Sequence, residues 1–74
     1  DNPVFISIAE TLYEIEPSAQ AALNMAKLGV NKSDWAMAKK YYTEAIEQEE
    51  DLRRKANTYM GLAYVNQAIG LSTL

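Results

Sequence analysis

The sequence predicts an all-α protein of about four antiparallel helices packed as helical hairpins. Three observations lead there. Apolar residues recur at steps of three and four along the whole chain, the period of a helix face rather than of a strand. The 74 residues include only 2 prolines and 3 glycines, too little turn chemistry for a sheet of short strands. The composition is that of a globular chain, with 49% apolar and 23% charged residues. A domain of this size buries only roughly 60% of its unfolded surface, so its stability is expected to lean on neighbours.

The first helix is expected to start at Asn2-Pro3, where Asn can cap free N–H groups and Pro loses no bond at the first helical position. Phe5, Ile8, Leu12 and Ile15, with Val4, Ala9 and Tyr13 beside them, form its apolar face. Pro17 ends it, because the residue before a proline is pushed out of the α region. The second helix is expected over 17–31, with a small-residue packing face of Ala19, Ala22, Met25, Ala26 and Gly29, flanked by Leu23, Leu28 and Val30. Asn31-Lys32-Ser33-Asp34 reads as a tight turn with Ser33 as the next cap.

The third helix, over about 34–49, carries Trp35, Ala38, Tyr42, Ala45 and Ile46 on one stripe. The spacing allows Lys40 to pair with Glu44 and Thr43 with Glu47, for a few tenths of a kcal/mol each. An acidic run over 47–51 is followed at once by Arg53-Arg54-Lys55, which favours a break near 49–51. The alternative is one long bent helix, since a Glu-rich run forms helix well and supplies no Gly or Pro stop. A fourth helix then runs over about 51–69, with Leu52, Ala56, Tyr59, Met60, Ala63 and Tyr64 expected inward.

The chain also matches itself. At an offset of 35, Ala21, Met25, Val30 and Asn31 fall on Ala56, Met60, Val65 and Asn66, and Ala26 meets Gly61. At an offset of 33, Ile8, Ala9, Leu12, Tyr13, Glu14 and Glu16 fall on Tyr41, Tyr42, Ala45, Ile46, Glu47 and Glu49. Helix one is thus like helix three, and helix two like helix four.

These residues carry a resemblance to the tetratricopeptide repeat (TPR) family, in which two antiparallel helices, A and B, recur about every 34 residues and stack into a right-handed superhelix. Met25-Ala26, Trp35, Ala38, Tyr42 and Ala45-Ile46 stand where the family carries its large, small and aromatic signature residues. Met60-Gly61, Ala63 and Tyr64 are similar to its helix A signature, Leu-Gly-x-Ala-Tyr. Pro17 stands where a preceding repeat would end. The chain departs from the pattern at Glu50, where a closing proline is usual, and at Ser33, which replaces the turn glycine; helix four also lacks a B partner. The resemblance implies a TPR-like α-solenoid fragment in which 1–16 is helix B of a preceding repeat, 17–50 one full repeat and 51–74 helix A of a following repeat. An opening without Met or a signal core, and an apolar stretch over 68–74, are likewise expected of a segment of a longer protein.

Composition narrows the chemistry. The sequence has no cysteine and no histidine, which removes thiolate metal sites, disulfides and imidazole acid–base catalysis. Glu44, Glu47, Glu49, Glu50 and Asp51 are the one carboxylate cluster, but EF-hand spacing is absent and the run reads as a solvated helix end. Ser7, Ser18, Ser33 and Ser72 have no histidine to activate them, and no Gly-rich phosphate loop follows a strand. No catalytic activity, cofactor or metal is therefore expected. The formal charge of −3 argues against nucleic acid, and Arg53, Arg54 and Lys55 adjoin acids that cancel their field. No apolar run approaches the roughly 20 residues of a membrane span, so no membrane insertion is expected. Trp35, Tyr41, Tyr42, Tyr59 and Tyr64, at helical spacing, read as core. Lack of cysteine suits a bacterial cytoplasm or periplasm alike, and localisation stays open.

What remains is a protein or peptide partner on a non-catalytic interaction scaffold. In the resembled family the A helices line a concave groove that holds an extended peptide. Carried over by the Ala26 and Gly61 anchors, that face comprises Gln20, Leu23, Asn24, Lys27 and Asn31 on helix two, and Lys55, Thr58, Leu62 and Asn66 on helix four. Independently, residues 20, 24, 27 and 31 share one largely polar helical face, and asparagine amides can pair with both peptide groups of a bound backbone. Asn24 and Lys55 fall near the positions with which some family members clamp a terminal carboxylate, but the full set is absent. Two other functional classes stand beside this one. A helix A without its B leaves Tyr64, Ala68, Ile69 and Leu71 uncovered, which suits a homo-oligomer or helix-swapped module. An accessory helical domain of a larger enzyme or glycan-binding protein is the third.

Overall fold

The structure, a computed structural model, describes residues 3–73. It is all-helical: α1 spans Pro3–Ile15, α2 Ala19–Asn31, α3 Trp35–Gln48 and α4 Leu52–Ser72. Each helix packs on the next, α2 against α3 most extensively. The Cα trace measures 38 × 31 × 14 Å, so the assembly is thin and no helix is surrounded. Among the described residues no helix is long and apolar enough to cross a membrane.

Three of the helix starts follow from side-chain capping. Ser18 Oγ accepts from the Ala21 amide at 3.2 Å and opens α2 one residue after Pro17. Asp34 Oδ1 accepts from Met37 N at 3.1 Å, and Asp51 Oδ1 from Arg54 N at 2.9 Å. The chain does break at 49–51, because Asp51 supplies the cap that a continuous helix would leave unused. The Asn2 cap expected for α1 lies outside the described residues.

Ser33 is not the cap of α3. It adopts the left-handed conformation, φ 56°, and closes α2 instead. Ser33 N donates to Val30 O at 3.0 Å and Asp34 N to Gly29 O at 2.8 Å, the paired bonds of a Schellman motif. The cap passes to Asp34 because a residue in that conformation cannot also begin the helix.

The central pair is built as its sequence implies. Ala22, Met25, Ala26, Leu28 and Gly29 of α2 and Ala38, Tyr42, Ala45 and Ile46 of α3 are all buried. Small residues let these helices approach closely: a β-carbon added at Gly29 would stand 2.7 Å from Ala38 N. One core cluster joins Ala26, Ala38, Tyr42 and Val65, with Leu23, Val30, Trp35, Leu62 and Ile69 packed around it. A second joins Ala9, Met25 and Leu28, edged by Ile6, Tyr13, Met37 and Tyr41.

The outer helices differ from expectation. In α1 the buried residue is Ala9, whereas Phe5, Ile8, Leu12 and Ile15 are 50–75% exposed. In α4 the inward side is Thr58, Gly61 and Val65, while Leu52, Ala56, Tyr59, Met60, Ala63 and Tyr64 lie exposed. Each of these helices carries two apolar stripes and has neighbours for only one. The stripe with the small residue wins, since Gly61 admits the Tyr42 ring where any β-carbon would come within 2.7 Å of it. Tyr59 and Tyr64 are consequently not core aromatics, although Tyr64 meets Trp35 edge-on at 6.2 Å.

The helical pairings expected on α3 are also replaced. Glu44 accepts a hydrogen bond from the Tyr13 hydroxyl of α1 rather than pairing with Lys40. The Lys40 ammonium sits 5.1 Å above the Tyr41 ring, and Thr43 Oγ1 donates to Lys39 O at 2.8 Å rather than meeting Glu47. An interhelical partner and an aromatic face outcompete solvated neighbours one turn away.

Candidate functional site

Between the N-terminal halves of α2 and α4 lies an open groove of about 270 Å³. Ala19, Leu23, Tyr42 and Ala45 give it an apolar lining; Gln20, Lys27, Glu49, Arg54, Asn57 and Thr58 supply its polar groups. Helical pitch explains the α2 wall, because residues 20, 23 and 27 fall on one face. The α3–α4 break explains the rest: it turns the chain so that the start of α4 stands beside the start of α2, above the end of α3.

Glu49 organises that turn. Its carboxylate accepts from Glu50 N at 3.1 Å, Asp51 N at 3.3 Å and Arg54 Nε at 3.1 Å. The pair with Arg54 is mostly solvated on the arginine side, 70% exposed, and is worth little as a salt bridge alone. Its effect is to direct the guanidinium and carboxylate toward each other at the groove's end. Lys27, exposed on the α2 wall, is not ion-paired with any of the described residues. Of the two cations that line the groove, Arg54 is thus paired and Lys27 is left without an ion pair among the described residues, above an apolar floor.

Four of the nine residues read from the sequence as partner-facing meet here: Gln20, Leu23, Lys27 and Thr58. Thr58 is only 5% exposed, and its hydroxyl is spent on Arg54 O at 2.9 Å, so it contributes an edge rather than a donor. Asn24 accepts from Gln20 Nε2 at 3.1 Å and turns toward a smaller hollow of about 210 Å³ on the α1 side, with Leu12, Ile15 and Glu16. Asn31, at the end of α2, and Asn66 are exposed but do not line the groove. Lys55 is half-buried outside it, and Leu62 packs against the core. Of the anticipated self-association residues, Tyr64 and Leu71 are 57% and 63% exposed, whereas Ile69 packs against the core.

Six lining residues escaped the sequence reading: Ala19, Tyr42, Ala45, Glu49, Arg54 and Asn57. Part of their signal is the break at 49–51 itself; its direction, which brings Glu49, Arg54 and Asn57 to the groove, is set by the hydrogen bonds of Glu49 and Asp51. Two tyrosines have raised pKa values. The Glu44 carboxylate that accepts its hydroxyl, with burial second, pushes Tyr13 up to about 12, and burial raises Tyr42.

Among the described residues no group of acids is arranged to hold a metal ion. No family model, curated protein or solved structure matches the chain.

Proposed function

We propose that this chain is a non-catalytic protein-interaction module that holds a short partner segment in the α2–α4 groove. The observation that carries the reading is the placement of Gln20, Leu23 and Lys27 along one wall, facing Arg54 and Asn57 across an apolar floor. The segment that fits presents an apolar side chain to Leu23 and Ala45, with a carboxylate beside Lys27. Gln20 and Asn57 amides are suited to the polar groups of its backbone.

The TPR-like stack that the sequence resembles supports this reading. Ala26 and Gly61, its small anchors, both sit where another helix comes close, and α2 and α4 share one core cluster. Such a module works by presenting a fixed surface, without bond making or breaking in the partner. The charge left over in the groove is small, so apolar contact sets affinity and Lys27 sets orientation.

Selection from a random linear peptide library on the immobilised chain tests the proposal. Selected peptides are expected to share an apolar residue next to an acidic one, and to weaken about tenfold or more on Lys27→Glu or Leu23→Asp. Peptides that bind both variants as tightly as the native chain would sink it.

A further inference from the structure

The two outer helices expose faces that fit one another. On α1, Phe5, Ile8 and Leu12 stand at the offset of 33 from Ala38, Tyr41 and Ala45; α3 packs Ala38 and Tyr41 over α2, and Ala45 is buried. On α4, exposed Ala56, Met60 and Ala63 stand at the offset of 35 from Ala21, Met25 and Leu28, which are buried in α2. One end of the chain therefore exposes the stripe that covers a helix, and the other end exposes the stripe that such a helix covers.

Charge sets an orientation. The second half of α1 and the residue after it carry Glu10, Glu14 and Glu16 without a base, and α4 opens with Arg53, Arg54 and Lys55 and has no acid after them; of the acids just before it, Glu49 takes up Arg54 and Asp51 caps the helix, which leaves Arg53 and Lys55 as the bases α4 presents. Both groups sit at the end of the helix where the peptide dipole opposes them, so neither is placed to stabilise its own helix. Neighbouring helices here run antiparallel: Trp35 at the start of α3 meets Tyr64 late in α4, and Glu49 just past the end of α3 meets Arg54. An α1 laid antiparallel on α4 brings its acidic end onto the basic end and its apolar stripe onto Met60 and Ala63.

We propose that copies of this chain associate head to tail, with α1 of one copy docked antiparallel on the outer stripe of α4 of the next. The contact is heterologous, so it continues from copy to copy rather than stopping at a symmetric dimer. It uses a side of α4 that the groove does not, and stands independently of the groove.

Sedimentation velocity on the chain from micromolar to millimolar concentration tests this. The native chain is expected to grow in mass beyond a dimer as concentration rises. A variant with Glu10→Lys, Glu14→Lys and Glu16→Lys, and a second with Arg53→Glu and Lys55→Glu, should each associate about tenfold more weakly or worse. Mixing the two should restore assembly, since each then offers the other an opposite charge. Ile8→Asp, at a side chain already half exposed, covers the case in which a reversal unfolds the chain, and should be monomeric with native helical content. A native chain that stays monomeric throughout overturns the proposal. So does assembly that persists in folded Ile8→Asp, or two folded reversal variants that fail to associate on mixing.

Discussion

Gly29 of α2 lies directly against the backbone of Ala38 in α3, with the position of a Gly29 β-carbon 2.7 Å from Ala38 N and 3.0 Å from its Cα. Backbone cannot step aside as a side-chain tip can. Gly29→Ala should therefore wedge α2 from α3 and cost about 1–3 kcal/mol, despite alanine's better helix propensity. Gly61→Ala meets the far end of the Tyr42 ring instead, also at 2.7 Å, and should cost less while loosening α4 selectively. Urea denaturation of both variants ranks them; equal costs, or a stabilised Gly29→Ala, would contradict this packing.

The turn between α2 and α3 holds a serine in a conformation that suits glycine. Ser33→Gly, at φ 56°, should gain about 0.5–1 kcal/mol, the relief of a strained backbone less the added entropy of the unfolded chain. Asp34→Ala should lose about 1 kcal/mol through the vacated cap on Met37 N. Opposite signs for these neighbours in thermal melts are the expected outcome, and a stabilising Asp34→Ala would return the capping role to Ser33.

Tyr13 ties α1 to α3 through Glu44 and meets the Tyr41 ring edge-on at 5.2 Å. Its pKa rises from the usual 10.0 to about 12 in the folded chain, so the protonated phenol is the form that folding favours. The stability it contributes is complete below pH 10.0 and is lost as pH climbs through about 12. Tyr13→Phe should cost about 1 kcal/mol at neutral pH and flatten that alkaline loss. Melting curves across the alkaline range for both chains measure it; parallel curves would contradict the interhelical bond.

Glu49 has a larger role than its ion pair. Glu49→Ala should speed hydrogen exchange at the Glu50 and Asp51 amides and cost about 1 kcal/mol, whereas Arg54→Ala should cost about 0.5 kcal/mol or less. The reverse order would place the weight on the solvated pair instead.

These particulars mark what periodicity can reveal. Ala26, Ala38, Tyr42 and Ile46 were legible because α2 and α3 each pack against a helix on two sides, so nearly every apolar position is used. On α1 and α4 the pattern holds two stripes, and the heavier one faces solvent. The winner was decided by close approach, at Ala9 and at Gly61 against Tyr42, which a hydrophobic period does not register. The α2 wall of the groove followed from one helical face. Its α4 wall did not, because Arg54 and Asn57 reach the groove only through the bend that Glu49 and Asp51 make.

The groove reading is tested most directly by assigned amide NMR spectra of the chain, titrated with a peptide selected on it. The account predicts that the largest shifts fall together on Gln20, Leu23, Lys27, Asn57 and Thr58. Shifts gathered instead on the exposed stripe of α1 or the outer face of α4, with those five unmoved, would contradict it.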